Sequence, residues 1–233
     1  SNSTITDCVF RQNQGSDYGG AVIVGFGEEN NHANMTITNN VFVDNYAYWV
    51  VGGLNLNASF VTTHFTNNTL RNNTSSWNMG GMLVFAGYSD EYYEYNTFDG
   101  NHGVNSVGGI WFRTNGPSGA NWYFKHNRIF NNTITPGDAL PNITGISGLY
   151  YNDEARYQNS PLTFEENDIT DDVWFDSASF VANPGTVHDL DGHVHTIVHV
   201  NITLFPDSNA TSSGTVNSTD SHLILRVPDV TTL

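Results

Sequence analysis

The sequence predicts an all-β chain: a right-handed parallel β-helix solenoid of about six coils, followed by a C-terminal antiparallel β module. Three observations carry the prediction. The first is a fixed period. Ile37, Asn40, Phe42, Asn45 and Gly52-Gly53 return 28 residues later as Phe65, Asn68, Leu70, Asn73 and Gly80-Gly81. They return 28 later again as Tyr93, Asn96, Phe98, Asn101 and Gly108-Gly109. The second is that the apolar runs between these positions, such as Val41-Phe-Val and Leu54-Asn-Leu, are too short for helices and right for strands. The third is that Asn and Gly, residues that turn a chain, punctuate each coil at the same offsets.

Coil one runs through Ile5, Cys8, Phe10, Asn13 and Gly19-Gly20-Ala21-Val22, and an excursion over 25–33 carrying Glu28 and Glu29 separates it from coil two. Coils two to four are the repeats above. Coil five is Phe124, Asn127, Ile129 and Asn132, entered after a Gly/Pro/Ser loop at 115–119. Its Gly-Gly position falls at Ser147-Gly148, delayed by an insertion at 135–141. Coil six is Phe164, Asn167, Ile169 and Asp172, where the pattern fades. Each coil is expected to hold three strands and three turns, with almost no helix anywhere.

The columns have a physical logic. Apolar positions face inward. Asn turns the chain because it tolerates the left-handed region, and identical amides one coil apart can bond into a ladder. Gly-Gly allows a sharp bend and close backbone approach. The same register places Thr38, Thr66, Glu94, Lys125 and Glu165 in one column, Arg71 beside Asp99, and Arg128 beside Asp168.

After Asp172 the repeat stops. Val194, Val198, Val200, Ile202 and Leu204 alternate with His193, His195, His199, Asn201 and Thr203, a half-buried strand. A Ser/Thr/Asn-rich loop at 206–221 leads to a second strand at 222–227, expected to pair back as a hairpin. The chain therefore divides into a solenoid over 1–172 and a capping or assembly module over 173–233.

Composition narrows the function. Seven Lys and Arg against 23 Asp and Glu give a formal net charge of −16. That excludes a nucleic-acid footprint and disfavours anionic membranes, while keeping a repetitive β protein soluble. No apolar run reaches the roughly 18 residues of a membrane span. The chain starts at Ser1 without a signal peptide, so it reads as a processed chain or a segment of something longer.

Eleven Asn-x-Ser/Thr acceptors occur, at Asn2, Asn34, Asn57, Asn67, Asn72, Asn73, Asn131, Asn142, Asn201, Asn209 and Asn217. Composition alone gives roughly six, so the excess points to an extracellular, N-glycosylated protein. Register separates the adjacent acceptors. Asn72 and Asn131 share an outward column, whereas Asn73 belongs to the inward ladder; the expected sites are therefore all of these except Asn73. The lone cysteine, Cys8, cannot form an internal disulfide. Its place in the first Asn column predicts a buried thiol.

Phe10-Arg-Gln-Asn13, Phe42-Val-Asp-Asn45 and Phe98-Asp-Gly-Asn101 resemble the F-x-x-N motif of polymorphic outer-membrane proteins. Gly19-Gly-Ala-Val22, with weaker copies at Gly52, Gly80 and Gly108, resembles their G-G-A-I motif. More broadly, 1–172 resembles right-handed parallel β-helix proteins of the pectate-lyase-like superfamily. The resemblance implies a surface adhesin-type protein or a polysaccharide lyase or hydrolase, and fold alone does not choose. The acceptor excess argues against a bacterial outer-membrane origin.

The chemistry of an enzyme is thin. Asn101-His-Gly103, Arg128-Ile-Phe130 and Asp171-Asp172 echo pieces of polygalacturonase-type sites, but the order differs and the first piece is incomplete. Paired carboxylates for glycoside hydrolysis must sit about 5–9.5 Å apart, whereas adjacent strand residues point to opposite faces. His193, His195 and His199, with Asp189 and Asp191 nearby, have metal-ligand character, but Asn201 shares their face and a glycan there favours a solvated surface. Asp90-Glu91 and Asp153-Glu154 lack the spacing of a calcium loop. Trp49, Trp77, Trp111, Trp122 and Trp174 offer the residues of a sugar platform, but most read more simply as core or glycan-shielded surface. No catalytic, cofactor-binding or metal-binding residue is assigned. With the first strand beginning within a few residues of Ser1, the expectation is a secreted structural surface glycoprotein. It would be a subunit of a fibre or filament whose partners are copies of itself or adjoining subunits. The alternatives are a polysaccharide-active enzyme and a carbohydrate-binding adhesin.

Overall fold

The computed structural model describes residues 2–26, 33–114, 121–135, 146–153, 161–169, 171, 173–176, 179–183, 185–188, 194–197 and 200–203. All the regular structure described is β, in four sheets whose strands stack as a parallel solenoid. Sheet 1 runs Asn2–Thr6, Ala33–Thr38, Val61–Thr66, Glu91–Glu94, Trp122–Lys125, Pro161–Glu165, Ser179–Asn183 and Val200–Thr203. Sheet 2 runs Val9–Arg11, Val41–Val43, Thr69–Arg71, Thr97–Asp99, Arg128–Phe130, Asp168–Ile169, Gly185–His188 and Val194–Ile197. Sheet 3 holds Gln14–Gly15, Tyr46–Ala47, Thr74–Ser75, His102–Val104 and Thr133–Thr135. Sheet 4 holds Val22–Phe26, Leu54–Ser59, Met82–Gly87, Ile110–Thr114, Leu149–Asp153 and Val173–Asp176. A coil thus carries four short strands rather than three, the extra one being the very short strand of sheet 3.

The period read from the sequence is the pairing register. Thr69 pairs with Thr97, Met82 with Leu54 and Glu91 with Thr63, each 28 residues apart. Thr66, Glu94, Lys125 and Glu165 follow one another in register, and Arg71 pairs with Asp99. Arg128 also forms an ion pair with Asp168 at 3.7 Å. In coil one the register differs by one residue from the motif alignment. Val22 pairs with Leu54, so Gly20-Ala21, not Gly19-Gly20, lies opposite Gly52-Gly53. Strand pairing outweighs the local likeness of the Gly motif.

The turns between sheets 1 and 2 and between sheets 2 and 3 share one construction. The residue before each ladder Asn has positive φ: Asn39 (58°), Asn67 (54°) and Tyr95 (58°) at the first turn, and Asp44 (56°), Asn72 (52°) and Asn131 (58°) at the second. The left-handed residue is thus the neighbour of the ladder Asn, which keeps ordinary φ and swings its amide inward. Asn40, Asn68, Asn96 and Asn127 then bond in series, with amide-to-amide distances of 3.0, 3.2 and 3.0 Å. Asn45, Asn73, Asn101 and Asn132 form the second ladder at 2.8, 2.9 and 2.8 Å. Each amide also donates to a backbone carbonyl, as Asn73 does to Phe42 at 2.9 Å, so these buried polar groups are satisfied. Cys8 occupies the first column, its N–H donating to Asn40 Oδ1 at 3.0 Å, but its thiol is half-buried rather than buried.

The second ladder ends on Asp171. Its Oδ2 accepts from the Asn132 N–H at 2.9 Å and side-chain amide at 2.7 Å. This corrects the sequence assignment of Asp172 to that column. Parallel stacking also continues beyond Asp172. Val173–Asp176, Ser179–Asn183 and Gly185–His188 pair parallel with the preceding coil, and antiparallel pairing starts with Val194–Ile197 and Val200–Thr203. Those two strands pair with Gly185–His188 and Ser179–Asn183; the segments at 206–221 and 222–227 lie outside the described residues.

Inside, Met35, Ile37, Phe42, Leu54, Leu56, Phe65, Leu70, Tyr93 and Phe98 are buried. At about 1.5–3 kcal/mol for each fully buried large apolar side chain, this column is the main source of stability. Gly-Gly packs backbone on backbone: a Cβ on Gly81 would meet the Gly109 carbonyl oxygen at 2.3 Å.

Candidate functional site

The wall of the solenoid sorts side chains by register, and the acceptor asparagines follow it. Asn2, Asn34, Asn57, Asn67, Asn72 and Asn131 are all exposed, whereas Asn73 is fully buried in the ladder. Asn2 and Asn34 are register partners in sheet 1. Asn67, Asn72 and Asn131 sit at left-handed turn positions, where their amides donate to Asn39 Oδ1 at 2.7 Å, Asp44 Oδ1 at 3.4 Å and Asp99 Oδ1 at 3.2 Å. Asn201 lies in the strand Val200–Thr203 opposite Val181. Asn142, Asn209 and Asn217 lie outside the described residues.

The fragments that echo an enzyme are taken up by the scaffold. Asn101 is a ladder residue, and Asp171 closes that ladder. His102 Nδ1 is 2.9 Å from Thr133 Oγ1, on sheet 3, whereas Arg128 lies on sheet 2, exposed and paired with Asp168. Of the histidine group only His195 is described, in a strand opposite Val187; His193 and His199 lie outside the described residues. Among the described residues no group of His, Cys, Asp and Glu is placed to hold a metal ion. Asp90 accepts from the N–H of Asn121 at 2.7 Å, while Glu91 turns inward, so this acidic pair is split between two faces.

In the sequence Glu91 stands out only as half of the Asp90-Glu91 acidic pair, not as a buried residue. It sits in an inward position of sheet 1, in register between Thr63 and Trp122, with Tyr93 Oη donating to its carboxylate at 3.1 Å. Burial pushes the carboxyl well above the usual glutamate range, and the Thr63 and Tyr93 hydroxyls offset this only in part. Burial thus disfavours the charged form of this acid inside the coil.

Sheet 4 carries large apolar side chains on both faces. Its inner face joins the main core; on its outer face Leu83, Trp111 and Tyr150 pack with Val51, Met79, Val107 and Ile146. The covering residues belong to the segments between sheets 3 and 4, which stack on one another through parallel bridges from Val51 to Met79 and from Val107 to Ile146. Between cover and sheet lies a groove of 440 Å³, with Asn55, Leu83, Phe85, Trp111 and Arg113 along its floor and Tyr18 and Trp77 in its wall. The Arg113 guanidinium lies over Phe85 at 5.2 Å and over Trp111 at 5.8 Å. Trp77 stacks on Trp49 at 5.2 Å, and both are exposed, whereas Trp122 is buried in the main core. No motif marks the groove. Its signal in the sequence is the loss of alternation in Met82-Leu-Val-Phe, which reads as a strand covered on both sides.

No protein-family model matches the chain, and neither a characterised protein nor a solved structure is significantly similar to it.

Proposed function

We propose that the chain is a secreted, N-glycosylated structural protein of the cell surface or extracellular space, stacked end to end into a fibre or filament. The observation that carries this reading is the sorting of acceptor asparagines. Six of them point outward on a regular wall, while the one that belongs to the inward ladder is sealed from any modifying enzyme.

Two further features support it. The net charge of −16 keeps the long faces apart, so that association is confined to the ends. Of the residues that resemble enzyme motifs, Asn101 and Asp171 serve a ladder and Arg128 pairs with Asp168, which favours a structural role over a polysaccharide-active one.

Negative-stain microscopy and light scattering on the glycosylated protein test the assembly. Filaments or end-to-end oligomers that grow with concentration are expected, together with no new reducing or unsaturated ends from pectin or alginate. A protein that stays monomeric at high concentration, with no filaments in native material, overturns it.

A further inference from the structure

We infer that the groove on the outer face of sheet 4 is the seat of the N-glycan carried by Asn57, the first sugars lying on Phe85. The inference rests on the glycoprotein reading above and adds a specific occupant and location to it.

Register makes the argument. Asn57 pairs with Phe85 and Phe85 with Arg113, so the three side chains form one outward column across three coils. Neighbouring strands are about 4.8 Å apart, which places the Asn57 side chain beside the Phe85 ring. One face of that ring is capped by the Arg113 guanidinium. The opposite face is the one turned to the coil that carries Asn57. A pyranose attached there meets the ring with its C–H face, an apolar contact that removes aromatic surface from water.

The attachment atom is available. Asn57 is exposed, its Oδ1 accepts from the Ser59 N–H at 3.3 Å, and its Nδ2 makes no hydrogen bond among the described residues. The exposed acceptors at Asn67, Asn72 and Asn131 instead use Nδ2 within their own columns. Two residues before Asn57 on the same face, Asn55 already forms part of the groove floor, so the groove begins where the glycan would leave the strand. At 440 Å³ it falls within the range of small-ligand sites. The acidic surface favours a neutral saccharide over an anionic one.

The test is site-resolved deglycosylation of the folded protein secreted from a eukaryotic host. Native protein is digested with peptide-N-glycosidase over time, and each site is followed by peptide mass spectrometry. Asn57 is expected to be occupied and released about tenfold more slowly than Asn34 and Asn72, the size of effect that one aromatic contact gives. Phe85→Leu keeps an apolar side chain without the ring and should bring Asn57 to the rate of the other sites, while Phe85→Tyr keeps the ring and should keep the protection. Release at Asn57 as fast as elsewhere, or protection that survives Phe85→Leu, overturns the seat and leaves the glycoprotein reading standing. So does a bare Asn57 alongside occupied Asn34 and Asn72. If no acceptor carries a glycan, both readings fall.

Discussion

Asn73 donates its side-chain amide to Asn101 Oδ1, one coil away, at 2.9 Å, and its own Oδ1 accepts the amide of Asn45 at 2.8 Å. The same Oδ1 takes the Asn45 backbone N–H, and the amide also reaches the Phe42 carbonyl. One side chain thus ties its own coil to the two on either side. Its neighbour Asn72, at φ 52°, turns outward to solvent.

Asn73→Ala strands these groups in an apolar interior. With each buried unsatisfied group costing about 1–3 kcal/mol, the loss should be about 3 kcal/mol or more. Asn72→Gly, which keeps the left-handed turn, should cost under about 1 kcal/mol, because the bond it loses is exposed and long. Urea unfolding of the two variants compares them directly; equal midpoints would contradict the ladder.

The glycines separate by what surrounds them. Gly81→Ala drives a Cβ to 2.3 Å from the Gly109 carbonyl oxygen, where only backbone can give way, and should cost at least about 3 kcal/mol or prevent folding. Gly100 has φ +63° and stands in the same turn column as Asn72 and Asn131. The nearest obstacle to a side chain there is the mobile end of Asn72. Gly100→Asn should therefore be tolerated to within about 1 kcal/mol. Thermal melts of both variants read out the difference.

Glu91 gives a pH dependence of defined sign. Its folded-state pKa lies above the unfolded value because burial disfavours the charged form. Between the two values the unfolded chain has released the proton and the native chain still holds it, so stability falls as pH rises above the ordinary glutamate range. Below that range the penalty is absent. Glu91→Gln keeps a neutral hydrogen-bonding group, and should flatten the slope and gain stability at neutral and alkaline pH relative to the unsubstituted protein. Denaturant midpoints from pH 4 to 9 measure it; parallel curves for the two proteins would refute the upward shift at Glu91.

Much of this architecture was legible because one coil dictates the next. A side chain with an identical copy 28 residues on, such as Asn40 and Asn68, declares its neighbour and its face at once. The exposed and buried members of the Asn72-Asn73 pair followed from that rule alone. What escaped had no periodic trace. Strands as short as Thr74–Ser75 cannot show alternation, so the third sheet merged with its turns. Asp171 reaches the ladder one residue early, so spacing pointed to Asp172. Glu91 is an acid in a column of apolar and hydroxyl side chains, which only burial exposes. The groove is made by segments folding over the sheet, a tertiary relation between Trp77 and Phe85 that no short motif records.

Site-resolved glycan mapping of the secreted protein tests the central claim most directly. The account predicts glycan on Asn72 and on the other exposed acceptors, with Asn73 bare although it carries the same acceptor motif. Glycan on Asn73, or no glycan at any acceptor, would contradict it.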